Sequence, residues 1–302
     1  MTYSIVALDE STGELGVAVQ SRWLATGAVV PWARPGVGAI ATQAFTDARY
    51  GAAGLDLLGS GRTPDSALAE LLAGDPDPGV RQIGIVDATG RTAVHTGAEC
   101  VREAGHRTGR GVSVQANMME RVTVWPAMIA AYEHADGDLA DRLLAALYAA
   151  EAEGGDVRGR QAAAILVVPG GSETRPWRTR FDLRVDDHRD PLGELGRLLS
   201  VSRAYEALDE ALEALAVGEV DAAAAFAELA AALAPDDDQI RLWHALTVFD
   251  AGDEVRGRHL YRSAVAVEPR AGEHLRRFVA AGQLPGRETL VRRLTTEADA
   301  GA

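Results

Sequence analysis

Over the first two hundred residues, apolar positions come in short blocks separated by polar punctuation. After that they recur at helical spacing. Tyr3 to Leu8 is a short, β-prone apolar run that starts almost at the first residue, so a strand enters a sheet with no lead-in and Thr2 stands at its free end. The polar segment Asp9–Glu14 carries the Gly13 that a hairpin loop wants, and Leu15–Gln20 reads as the returning strand. Ser21–Gly27 reads as a turn. Ala28–Ala33 and Val37–Gln43 read as two further strands, punctuated by Pro31, Pro35, Gly36 and Gly38.

The pattern then alternates between helix and strand. Ala52–Leu58 and Thr63–Ala73 read as helices, the second entered through an N-cap at Thr63 with Pro64 in its first turn. Arg81–Asp87 and Arg91–His95 predict a second hairpin, Gly105–Gly111 a glycine-punctuated loop, and Val112–Asn117 a strand. Helices are expected over about 121–134 and 138–153, the latter stopped by Gly154-Gly155, before strands at Ala162–Val168 and Arg180–Val185. This succession of hairpins, helix pairs and strands predicts an α+β fold of stacked antiparallel sheets between helical layers.

From Pro191 the chain is alanine-rich amphipathic helix with no strand signal. Gly218 and Gly252 lie 34 residues apart, as do Pro235 and Pro269, which is the period of a tetratricopeptide repeat. Residues from about 201 to 282 should therefore hold roughly two repeats and a capping helix. The expected division is residues 1–198 for the sheet domain and 199–302 for a TPR-like all-α domain.

Composition narrows the function. At 302 residues and 47% hydrophobic, the chain can build one sizeable core and a second module. A formal charge of −14, from 30 basic against 44 acidic residues, argues against nucleic-acid or anionic-membrane partners. No apolar run approaches the roughly 20 residues a membrane span needs. No basic region followed by an apolar stretch opens the chain, so a cytoplasmic protein is expected. The single Cys100 excludes an internal disulfide and a cysteine-based metal cluster, and the seven histidines include no His-x-x-x-His pair. Neither metal nor cofactor is expected.

An N-terminal Thr on a strand has a definite chemical use. If Met1 is removed, as the small Thr2 leads one to expect, the α-amine of Thr2 can take the proton of its own hydroxyl, so one residue supplies nucleophile and base. A free α-amine has a reference pKa of about 7.7 to 8.0, which leaves a useful neutral fraction near physiological pH. Ser4 stands on the same strand face two residues along. Gln43, Gln115 and Asn117 are amides at strand ends, suited to donating hydrogen bonds to a developing oxyanion. His95, His106 and His188 sit in no Ser–His or Cys–His signature, and nothing in the sequence pairs with Cys100 to activate its thiol.

Several segments carry a family resemblance: Ser4–Ala7, Thr12–Val19, Val30–Ala33, Gly36–Ala44, Arg81-Gln82, Thr96-Gly97, Gly105-His106, Gly154–Asp156 with Arg158–Gln161, and Asp182–His188. In these the chain resembles the DUF1028 family over residues 2 to about 200, a family assigned to the Ntn-hydrolase-like superfamily without a settled activity. The resemblance implies a four-layer αββα sandwich. The opening hairpin is also similar to that of proteasome-type β subunits, with Gln20-Ser21-Arg22 where those have Asp-Ser-Arg and no Lys at their basic position.

The matched segments add Asp156 and Arg158, an Asp–Arg pair suited to orienting a substrate carboxylate or holding a polar network. Gln20, Ser21, Arg22 and Thr96 complete the set expected to meet substrate. The chain has Gln115-Ala116-Asn117 where the family usually shows Gln-Gly-Asn. The expected function is an Ntn amidohydrolase cleaving a C–N bond of a small molecule or peptide, through catalytic Thr2, Ser4, Asp156 and Arg158. The alternative is a non-catalytic scaffold whose helical repeats dock a protein partner; an acidic chain with apolar helical repeats also fits a homo-oligomer, although the sequence does not give the oligomeric state.

Overall fold

The computed structural model describes residues 2–171, 175 and 177–296. The chain separates into two compact units, Met1–Arg197 and Leu198–Ala302. Met1, whose removal the sequence leads one to expect, lies outside the described residues, as does the end of the helical region from 297 to 302.

In the first unit, β1 (Thr2–Leu8) and β2 (Leu15–Ser21) form the opening hairpin, followed by β3 (Pro31–Arg34) and β4 (Gly38–Ala44). Helices α1 (Arg49–Gly59) and α2 (Pro64–Ala73) precede the hairpin of β5 (Arg81–Asp87) and β6 (Thr92–Thr96). Next come β7 (Gly105–Gly109), β8 (Val112–Asn117), α3 (Val124–His134) and α4 (Leu139–Ala152), then β9 (Ala162–Val168) and β10 (Phe181–Val185). The strands make a six-stranded sheet in the order β10-β9-β2-β1-β8-β7 and a four-stranded sheet in the order β3-β4-β5-β6. Neighbours pair antiparallel throughout both sheets.

The sheets face one another, with α1 and α2 on the outside of the small sheet and α3 and α4 on the outside of the large one. Strand alternation sorts the side chains. Val6, Leu8, Val17 and Val19 point inward against Ala39, Ala41 and Val86. Ile40, Ile83 and Ile85 point outward against Tyr50, Leu55, Leu58 and Leu68. Gly16 lies so close beneath α4 that a β-carbon there would come within 2.7 Å of Leu143, which is why β2 needs a glycine. Thr63 caps α2 by accepting the Ser66 N–H, and Asp138 and Asp141 cap α4 reciprocally.

Two local expectations are corrected. Gly105–Gly111 is not all loop, because Gly105–Gly109 pairs with β8 as an edge strand. Its Gly-His-Arg-Thr-Gly sequence has no apolar alternation to detect, and the pairing comes from its neighbour. The strand expected over Ala28–Ala33 begins only at Pro31, after a single 3-10 turn at Thr26–Ala28 that follows Ala25 in the left-handed region (φ 52°). Pro31 heads an edge strand, where its missing N–H costs no ladder bond.

The second unit is all helical among the described residues. Helix α5 (Pro191–Val217) begins in the first unit and continues into the second, followed by α6 (Val220–Leu233), α7 (Asp238–Asp250), α8 (Glu254–Val267), α9 (Ala271–Ala280) and α10 (Glu288–Thr296). Trp243, Leu246, Phe249, Tyr261, Leu275 and Leu294 anchor its core. Helices α6, α8 and α10 begin 34 residues apart, at Val220, Glu254 and Glu288. Each follows a glycine at positive φ, Gly218, Gly252 or Gly286, as the left-handed turn before it requires. Gly286 extends the period past the two glycines read from the sequence.

Candidate functional site

Thr2 pairs with Ser21 across the β1–β2 ladder and with Asn117 across β1–β8, so it sits in the middle of the large sheet at one end. Its side chain shares the inward parity of Ser4 and Val6, and its Oγ1 donates to Ser21 Oγ at 2.9 Å. The two hydroxyls open into a cavity of about 420 Å³. Thr26, Thr46 and Arg158 supply the rest of its polar lining. The remaining wall is apolar, from Trp23, Val29, Ala44, Phe45 and Ala48.

Behind Thr2 the space between the sheets fills with amides and hydroxyls. Ser4 Oγ donates to Gln43 Oε1 at 2.7 Å and accepts from Gln115 Nε2 at 2.6 Å. Gln82 Oε1 accepts from both Gln43 Nε2 (2.7 Å) and Asn117 Nδ2 (2.8 Å). Gln82 Nε2 donates to Ala116 O and to Thr96 Oγ1, each at 2.9 Å. Thr96 in turn lies 2.8 Å from His106 Nδ1. Gln43 and Asn117 also donate to the main-chain carbonyl of Thr2, at 3.2 and 3.4 Å. Ser4, Gln43, Gln82, Gln115 and Asn117 are all fully buried, so these bonds form where unmet polarity would be costly. Gly84 makes room for them, since a β-carbon there would lie 2.2 Å from Gln115 Oε1.

Asp156 and Arg158 come from a loop bent by Gly154, Gly155 and Gly159, all at positive φ. The buried Asp156 carboxylate accepts the backbone N–H groups of Arg22 and Arg158, and Arg158 clasps it through Nε (3.1 Å) and Nη2 (2.7 Å). This ties Arg158, the charged side chain among the described residues of the cavity, to the end of β2. The Arg22 guanidinium points elsewhere, to Gln161.

The structure thus brings Thr2, Ser21 and Arg158 to one cavity, with Asp156 behind Arg158. Ser4, Gln43, Gln115, Asn117 and Thr96 lie in the buried network and not on the cavity wall. Gln20 faces the other side of the sheet, with Gly16 and Ala18, and both its side-chain polar atoms are buried without a hydrogen-bond partner. Asn117 Oδ1 is likewise an unengaged acceptor. Sequence reasoning missed Gln82, the hub of the network, although its inward parity with Val86 on β5 was available to read.

Elsewhere, Cys100 is half-buried, its thiol pushed up by burial and donating to Arg81 O at 3.4 Å. His95 contacts Pro78 O, and His188 contacts the main chain of Asp190. A larger cavity of about 500 Å³ lies between α1 and α2. It borders an ionic hub in which Arg81 and Tyr50 both bond Asp75. Arg81 holds the Asp75 carboxyl well below the usual range, and burial raises the Tyr50 phenol. The hub's groups satisfy one another and include no activated nucleophile. Among the described residues, no group of three or more His, Cys, Asp and Glu side chains is placed to hold a metal ion, and no helix is long and apolar enough to cross a membrane.

Fold and site together define an α+β sandwich of two antiparallel sheets between helix pairs, with a threonine at the head of a central strand lining a pocket. The chain belongs to the family of unknown function DUF1028, whose model matches residues 2–195. It is similar to a crystal structure of protein SPO2555 from Silicibacter pomeroyi, described there as a DUF1028 protein. The two share 32% sequence identity and a TM-score of 0.60, over 66% of this chain and 87% of that one. No curated protein matches it.

Proposed function

We propose that this chain is an Ntn-type amidohydrolase, with Thr2 attacking a C–N amide after Met1 is removed. The observation that carries the reading is the Thr2 Oγ1–Ser21 Oγ pair opening into a cavity that Arg158 also lines. As the Oγ1–carbon bond forms, the hydroxyl proton passes to the neutral α-amine, which hands it to the leaving nitrogen as the C–N bond breaks. Water then attacks the Thr2 ester and gives its proton to the amine. The amine returns a proton to Oγ1 as the ester bond breaks and the acid departs.

The network behind Thr2 serves this chemistry by position. Two amides hold the Thr2 carbonyl, so the residue cannot pivot out of the cavity. Arg158, held by Asp156, lines the same cavity and completes its polar wall beside Thr2. Asn117 Oδ1, opposite Thr2 in the ladder, is the acceptor that the α-amine would use. The 34-residue helix period of the second unit supports a TPR-like reading there, with a protein partner as its ligand.

The test is intact mass of the untagged protein before and after a hydroxyl-acylating β-lactone. Loss of Met1 and one adduct on the Thr2 peptide are expected. Retained Met1, or no adduct while a control Ntn hydrolase reacts, would overturn the hydrolase reading in favour of a binding protein.

A further inference from the structure

The Thr2 cavity has an unusual charge balance for a site in so acidic a protein. Among the described residues no carboxylate lines it, which leaves a cationic substrate group without a counter-charge there. Its one charged side chain among the described residues, Arg158, is already matched by Asp156, whose two oxygens accept Arg158 Nε and Nη2. An anionic group would have to compete with that buried carboxylate and approach a protein of net charge −14. With the Thr2 α-amine in the neutral form that takes the hydroxyl proton, the local charge sums to zero, so the best-matched acyl group carries none.

The apolar wall is large and braced. Trp23 and Phe45 are 66% and 56% exposed, two big aromatic surfaces left in water at the mouth of one cavity. Phe45 is pinned at both main-chain ends, its N–H donating to Val80 O at 3.2 Å and its carbonyl accepting from Arg81 Nη1 at 2.5 Å. Val29 O accepts from the Trp32 indole at 2.9 Å. Two residues on from Trp23, Ala25 bonds through its N–H to Asp186 O at 3.0 Å. Such a wall is formed before any ligand arrives, and 420 Å³ falls in the range of small-molecule sites.

We propose that the cavity is an acyl pocket whose substrates are amides of uncharged, apolar acyl groups, with Phe45 and Trp23 setting the preference for acyl size. This rests on the amidohydrolase reading for what happens at Thr2, but the binding preference stands apart from turnover. With the amide carbonyl at Thr2, the acyl chain lies along the wall of Val29, Ala44, Phe45 and Ala48. There it covers surface that is otherwise wet.

The test is calorimetric titration with acetanilide, butyranilide and hexananilide, beside the anionic succinanilate and the cationic anilide of 6-aminohexanoic acid, using wild-type protein and Thr2→Ala in parallel. Affinity should rise by roughly threefold for each added methylene up to hexanoyl. Both charged anilides should bind at least about tenfold more weakly than the neutral amide of similar length. Phe45→Ala and Trp23→Ala, both at exposed positions that leave folding intact, should flatten the chain-length dependence, weakening hexananilide more than acetanilide. Flat affinity across the series, preference for a charged anilide, or no binding of any anilide would overturn the pocket. Hydrolysis is read separately by aniline release: chain-length-dependent binding without turnover strikes only the hydrolase reading, and turnover without that dependence strikes only the pocket.

Discussion

Between the two sheets, Val6, Leu8, Val17, Val19, Ala39 and Val86 pack one half of the interior, whereas Ser4, Gln43, Gln82, Gln115 and Asn117 fill the other. Both halves are buried in the same layer, on the same strands, a few residues apart. The apolar half holds the sheets together by area, a force with no direction, so that many side-chain sets of the right volume would serve. The amide half contributes less net stability per group, because each hydrogen bond replaces one made to water. Its bonds are directional, however, and two of them end on the Thr2 carbonyl. The layer is thus divided between cohesion and placement, and the placing half is the one beside the cavity.

The largest effect should come from breaking the hub of the amide half. Gln82→Met keeps the shape but takes one acceptor from each of Gln43 Nε2 and Asn117 Nδ2 and a donor from the Ala116 carbonyl, at a cost of about 3 kcal/mol in urea unfolding. It should also slow β-lactone acylation of Thr2, because the residue's anchor is disturbed. Val17→Ala, in the apolar half, should cost about 2 kcal/mol through its cavity and leave the acylation rate as in wild type. If the valine variant slowed acylation as much as the glutamine variant, the division of labour would be wrong.

That division also explains what could be read in the sequence. The apolar half announces itself through alternation, so β1, β2, β5, β8 and β9 are legible within a residue or so, as is the helix entered at Thr63. The 34-residue spacing of glycines and prolines gives the helical region its period because a left-handed turn tolerates few other residues. The amide half is harder. Gln43, Gln115 and Asn117 are visible as polar residues at strand ends, but which way an amide points depends on partners from distant strands. Their role as holders of Thr2 emerges only when β4, β5 and β8 meet. Edge strand β7 is illegible for a related reason, since its partner and not its own pattern makes it a strand.

The smallest predicted effect lies where the amide half reaches solvent. Thr96 Oγ1 accepts from Gln82 Nε2 and lies 2.8 Å from His106 Nδ1, which links the buried amides to a half-buried imidazole. Burial, and secondarily the neighbouring His95, lowers the His106 pKa from its ordinary value. A base whose folded pKa is depressed binds fewer protons folded than unfolded, so its contribution is present above the ordinary histidine pKa of about 6.5 and fades as pH falls through it. Urea midpoints should therefore drop modestly between pH 7.5 and 5.5, by less than either core substitution, and His106→Gln should remove part of that drop. Imidazole shifts followed by NMR give the direct check. If His106 titrated at or above the ordinary range, the amide half would end at Thr96 and its link to solvent would carry no proton-dependent strength.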